Sequence, residues 1–142
     1  MDTLNESDLI QLHHVGYVVR SIEKTADRFA ESIGASWDRR VILDALQGAR
    51  VTFLANHGHA LPLVELVQPE GEGSPISNFM KRGGGLHHLC YEVKSLERQL
   101  ESSRRIGSTL VRAPLPAVAF EGRRIAWVST RDRLLIEFLE TP

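Results

Sequence analysis

The chain has 142 residues, room for one ordinary domain, and its 42% hydrophobic and 25% charged content is that of a soluble globular protein. A net charge of −1 gives no general reason to expect nucleic-acid or membrane binding, and no apolar run approaches membrane-spanning length. One cysteine excludes a disulfide framework within the chain. The acidic N-terminus lacks the basic and apolar regions of a signal peptide, so a cytoplasmic location is expected.

Residues 1–9 read as a disordered or loosely docked arm. Ile10 to Val19 is rich in β-branched and aromatic residues and reads as a strand. Alternation puts His13, Val15, Tyr17 and Val19 on one face, expected to pack against a helix. Leu12, His14, Gly16 and Val18 fall on the other. Ser21 then caps a helix carrying Ile22, Ala26, Phe29 and Ile33 inward, ended by Gly34. Strands are predicted at Trp37–Leu43, Arg50–Ala55 and Leu61–Gln68, with turns at Gly48 and Asn56–His59. The first module, about 10–69, is thus β-α-β-β-β.

A linker follows, with Ser74 as cap and Pro75 opening a short helix over about 74–82. Gly83-Gly84-Gly85 precedes a strand, so it is not a phosphate loop. The second module, about 86–140, repeats the order. It has a strand at Leu86–Val93, a helix from Ser95 to about Ile106, and strands near Thr109–Arg112, Arg124–Ser129 and Leu134–Leu139. Residues 113–122 are too proline-interrupted for a central strand and read as a loop.

The two modules are copies. Aligning His14 with His88 matches Leu12-His13-His14-Val15-Gly16-Tyr17-Val18-Val19-Arg20-Ser21 with Leu86-His87-His88-Leu89-Cys90-Tyr91-Glu92-Val93-Lys94-Ser95. Each copy also ends in a Glu flanked by apolar residues, Glu65 between Val64 and Leu66 and Glu137 between Ile136 and Phe138. A buried carboxylate is costly unless it is paired or metal-bound, and meeting it twice at matching places gives the charge a use. With one His from each His-His pair, the set is two imidazoles and two carboxylates. That donor set suits divalent zinc, cobalt, nickel, manganese or iron. The face argument favours His14 and His88 as ligands and leaves His13 and His87 under the helices. His57 and His59 read as solvent residues in a turn, and Cys90 as buried packing.

Charge is unevenly spread. Residues 1–80 carry 6 basic and 11 acidic side chains, and residues 81–142 carry 11 basic and 7 acidic. Arg104, Arg105, Arg112, Arg123, Arg124, Arg131 and Arg133 make either a solvated face or a positive rim that attracts an anionic small molecule.

Tandem β-α-β-β-β modules with this His/Glu/His/Glu pattern resemble the vicinal oxygen chelate (glyoxalase/dioxygenase-like) superfamily, and within it the methylmalonyl-CoA epimerases. The stretch from Ser74-Pro75-Ile76-Ser77-Asn78-Phe79-Met80 through Gly83-Gly84-Gly85-Leu86-His87-His88 is similar to their linker helix and second metal strand. Leu12-His13-His14-Val15-Gly16 and Leu135-Ile136-Glu137 match as well. The resemblance implies an α+β fold in which two modules pack edge to edge into one curved eight-stranded sheet around a metal cup. It implies the ligand set His14, Glu65, His88 and Glu137 and a homodimer. It further implies a metal-dependent epimerase or isomerase acting on an anionic acyl thioester, with Glu137 or Glu65 moving the proton α to the carbonyl. Bacterial epimerases add an acid on the third strand, and Ala49-Arg50-Val51-Thr52-Phe53-Leu54 has none. The turn before the last strand is also shortened here to Thr130-Arg131-Asp132-Arg133. A glyoxalase-type isomerase and a non-catalytic small-molecule-sequestering protein are the alternatives. Dioxygenase chemistry would leave the fourth ligand, Glu65, without a role.

Overall fold

The computed structural model of the protein describes residues 10–142, so the expected N-terminal arm lies outside the described residues. They form two units: residues 14–87, and residues 88–142 together with the described residues up to His13.

In the first unit the strand order is β2 (Ser36–Trp37), β4 (Ala49–Ala55), β5 (Leu63–Pro69), β1 (Gln11–Val18), with β3 (Ile42–Asp44) also on β4. Strands β1 and β5 run parallel, with Gly16 opposite Glu65, and β4 runs antiparallel to β5, with Phe53 opposite Glu65. Helix α1 (Ile22–Ile33) begins where the Ser21 side chain accepts from the Lys24 N–H and ends at Gly34 in the left-handed region, φ 68°. Its buried Ile22, Ala26 and Ala30 meet Leu54 and Leu66, with Tyr17, Val19, Phe29 and Val64 around them. Tyr17 and Val19 therefore lie on the helix side, as the alternation predicts, and residues of opposite parity face away from it. Each fully buried aliphatic side chain of this size contributes about 1.5–3 kcal/mol, so Leu66→Ala would strike the centre of this layer.

In the second unit the order is β6 (Gly85–Val93), β9 (Leu135–Glu140), β8 (Arg124–Ser129), β7 (Thr109–Pro116). Strands β6 and β9 are parallel, with Cys90 opposite Glu137, and β8 is antiparallel to β9, with Trp127 opposite Glu137. Helix α3 (Leu96–Arg105), capped by Ser95 accepting from the Arg98 N–H, packs its buried Leu96 with Val93, Ala126, Val128 and Phe138. The architecture is mixed α+β, as expected.

Three expectations are corrected. The described residues hold nine strands, not eight. The predicted strand over Trp37–Leu43 is broken into β2 and β3 because Arg39 adopts φ 68°, which no ladder accommodates. Thr52 holds the break, accepting from Trp37 Nε1 (2.8 Å) and donating to the Arg40 carbonyl (2.6 Å). The linker helix α2 (Ser77–Lys81) starts later than predicted, because Ser74 donates its hydroxyl to the Gly48 carbonyl (2.7 Å) and caps nothing. Residues 113–116 are not loop. They continue β7, where the prolines are tolerated because β7 is an edge strand and its pairing with β8 slips twice.

Candidate functional site

Within the first unit, three adjacent strands present one row of side chains on the face turned from α1. Antiparallel partners share a face and so do residues two apart, so the β1, β5 and β4 registers bring His14, Glu65 and Phe53 together. His14 is 0% exposed and Glu65 5%. The His14 Nε2 lies 3.6 Å from Glu65 Oε1, and the Phe53 ring meets the imidazole edge-on at 5.7 Å between centroids.

The second unit repeats this on β6, β9 and β8. His88 Nε2 lies 3.8 Å from Glu137 Oε1, and Trp127 stands edge-on to the imidazole at 4.7 Å. His88 is 4% exposed and Glu137 3%. Both nitrogen–oxygen separations exceed the 2.7–3.2 Å of an N–H···O bond. They sit near the ~3.0–3.4 Å that separates neighbouring donors held about 2.1 Å from one ion. Buried imidazole and carboxylate at that spacing fit a divalent metal, the chemistry the donor set predicts.

The second histidine of each pair is elsewhere. His13 is buried edge-on to Phe120, a residue of the short 3-10 turn after β7, at 5.4 Å. The face prediction missed this because Phe120 is more than a hundred residues away in sequence. His87 lies edge-on to Phe79 of α2 at 4.9 Å. His57 and His59 sit exposed in a 3-10 turn, and Cys90 is fully buried, both as predicted.

Most of the arginine excess is committed to neighbours. Arg124 reaches Glu97 and Glu140, Arg123 reaches Glu92, and Arg104 and Arg105 share Glu101. Donating hydrogen bonds to Glu140 and Glu97 holds the Arg124 guanidinium above its ordinary value. Arg123 also donates to the Glu140 carbonyl, so these side chains fasten β8, β9 and α3. The positive-rim reading therefore loses Arg104, Arg105, Arg123 and Arg124 to local ion pairs.

Phe53 and Trp127 were not singled out by motif reading, although a signal exists. The alignment that places His14 on His88 also places Gly48, Arg50, Val51, Phe53 and Leu54 on Gly122, Arg124, Ile125, Trp127 and Val128.

No helix among the described residues is long and apolar enough to cross a membrane. The chain is 28% identical over 131 residues to the ethylmalonyl-CoA/methylmalonyl-CoA epimerase of Cereibacter sphaeroides, covering 86% of this chain and 90% of that one. The crystal structure of methylmalonyl-CoA epimerase from Mycobacterium tuberculosis superposes with a TM-score of 0.82 at 27% identity, over 99% of this chain and 93% of that one. A hypothetical protein from Bacillus halodurans gives 0.80 at 28% identity, over 94% and 95%. The fold is that of the vicinal oxygen chelate proteins. With residues 13–127 matching its sequence profile, the chain belongs to the glyoxalase/bleomycin resistance protein/dioxygenase superfamily.

Proposed function

We propose that His14, Glu65, His88 and Glu137 together hold one divalent metal ion and that the loaded protein epimerises a 2-substituted acyl thioester. The observation that carries this is the duplicated buried pair, His14 with Glu65 and His88 with Glu137, at nearly equal spacing. The names of the similar epimerases support the substrate class. When bound, the ion supplies Lewis-acid polarisation of the substrate carbonyl.

The chain's own residues move the proton. One carboxylate, Glu137 or Glu65, accepts the α-proton at an oxygen as the C–H bond breaks and its electron pair passes into the enolate. The other, which carries a proton as a carboxylic acid, donates it to the opposite face of the enolate, so the two groups exchange protonation states in each turnover. Strand β4 offers no alternative acid, since its residues on the Glu65 face include the buried Val51 and the half-buried Phe53. A positioned acid–base pair is worth about 10²–10⁴-fold. The reading includes an anionic substrate, a homodimer and a cytoplasmic setting. The solvent-exposed Leu110, Val111 and Leu115 of β7 support a second copy, and the single cysteine supports a reducing compartment.

The test is metal-dependent deuterium incorporation from heavy water at C2 of methylmalonyl-CoA and ethylmalonyl-CoA, with Glu137→Gln as control. Exchange that is absent from metal-loaded protein overturns the epimerase reading. The same acid-free β4 favours a second reading, a sequestering protein. That reading is supported if the thioester binds without exchange.

A further inference from the structure

We infer that Arg112 is a specificity residue, the cation that receives the free carboxylate of a malonyl-type acyl thioester on the site face of the second unit. The inference rests on the substrate class proposed above and adds the group by which that class is recognised.

Strand register puts Arg112 in the site row. Arg112 is the cross-strand partner of Trp127, and Trp127 is the partner of Glu137. Cross-strand partners share a face, and the contact of Trp127 with His88 marks that face as the one bearing the candidate ligands. Two strand spacings, about 10 Å, separate the Arg112 backbone from that of Glu137. An arginine side chain spans most of that distance.

A slip in the β7–β8 ladder creates this placement. Leu110 pairs with Val128, so unbroken alternation would set Arg112 against Ala126, in the layer packed with Leu96 of α3. The extra residue, Val111, turns Arg112 to the Trp127 face instead. The usual burial order is thereby inverted. Leu110 and Val111 are 53% and 58% exposed, while the arginine beside them is half-buried. The module does not need a cation here. Aligning His14 with His88 sets Asp38 at the matching position, and Asp38 is exposed and accepts the Arg40 N–H.

The other arginines of the basic excess lie elsewhere. Arg104 and Arg105 are on α3, Arg123 and Arg124 are in ion pairs, and Arg131 and Arg133 lie between β8 and β9. A guanidinium carries five donors in a planar fork, so a contact with a protein neighbour still leaves donors for a carboxylate.

The test is the affinity of the full chain, with zinc present, for methylmalonyl-CoA and isobutyryl-CoA, read by calorimetric titration. The second thioester has a methyl group where the first has its carboxylate. The ratio of the two affinities therefore isolates that group and cancels any loss of folded protein. Arg112→Gln should lower the preference for methylmalonyl-CoA about 10–100-fold, the range for a lost hydrogen bond to a charged group, and leave isobutyryl-CoA affinity unchanged. Arg112→Lys keeps the charge and loses the fork, and its ratio should fall between. Arg105→Gln removes an equal charge from the surface of α3 and should keep the parent ratio. An Arg112→Gln ratio equal to the parent's overturns the inference even if the protein exchanges the α-proton, and so does a parent that binds the two thioesters equally. A lowered ratio in a protein that exchanges no α-proton upholds the inference and overturns the epimerase reading. A parent that binds neither thioester overturns both.

Discussion

Glu140 stands in the second unit where Gln68 stands in the first. The Gln68 side chain accepts the backbone N–H of Ile22, the first residue of α1, at 2.9 Å. Glu140 accepts the N–H of Leu96, the first residue of α3, at 3.1 Å. Each strand that carries a site glutamate, β5 or β9, is thus pinned just beyond that glutamate to the start of the helix behind it. The first N–H groups of a helix have no partner inside the helix, so these contacts supply one.

Gln68→Ala should cost about 1 kcal/mol of stability, the net value of a hydrogen bond of this kind. Glu140→Ala should cost more, about 1.5–3 kcal/mol, because its acceptor is charged and also holds Arg124. Urea titrations of the two variants check the order, and equal costs would show that the Arg124 contact adds nothing.

The pH dependence follows from the same residue. The hydrogen bond from Arg124 holds the Glu140 carboxyl below its ordinary range, burial opposes this, and the Leu96 N–H and the Arg124 charge add to the lowering. A carboxyl whose folded value is depressed contributes stability that is fully present above its unfolded value. That contribution is lost as the pH falls through the folded one. The exposed Glu97 is lowered as well, first by a backbone hydrogen bond and then by Arg124. Unfolding free energy should therefore be flat from neutral pH to about pH 5 and fall below it. Glu140→Gln should lower the plateau and flatten the acid limb, and a parallel acid limb in that variant would remove Glu140 from the account.

Zinc should raise the melting temperature, because the ion binds the folded site and hardly the unfolded chain. His14→Ala and His88→Ala should abolish the rise. His13→Ala and His87→Ala should keep it while lowering the metal-free melting temperature, since those rings pack on Phe120 and Phe79. Calorimetry with and without zinc separates the two pairs, and uniform responses would dismantle the ligand assignment.

Gly84 sits before the second His-His strand at φ 67°, and a Cβ there would lie 2.7 Å from the Val18 carbonyl oxygen and 2.9 Å from Met80 Cε. Gly34 has nearly the same φ, 68°, with open space around it. Gly34→Ala should cost only the left-handed penalty, about 1–2 kcal/mol. Gly84→Ala should cost more, because backbone must move, and the difference between the two variants in chemical denaturation measures the clash.

The local pattern of the chain determined much of this protein. Alternation in Ile10–Val19 put Tyr17 on the helix side and His14 opposite it. Ser21 and Gly34 marked the ends of α1, and the doubled His-His and the flanked Glu marked the residues of the candidate site, which the structure shows buried in pairs. These are readable because side-chain direction has a short period, and capping acts within a few residues. Tertiary structure decided what depends on contacts between distant segments. Which strand neighbours which cannot be read from alternation, so the row His14, Glu65, Phe53 exists only once β1, β5 and β4 lie side by side. The same holds for His13 against Phe120, for Arg124 between Glu97 and Glu140, and for the prolines of β7. Each is set by the partner the fold brings up, and a hydrogen-bonding or steric need is met or waived only there. A proline that would break a central ladder is harmless on β7, because among the described residues one side of that strand carries no ladder to break.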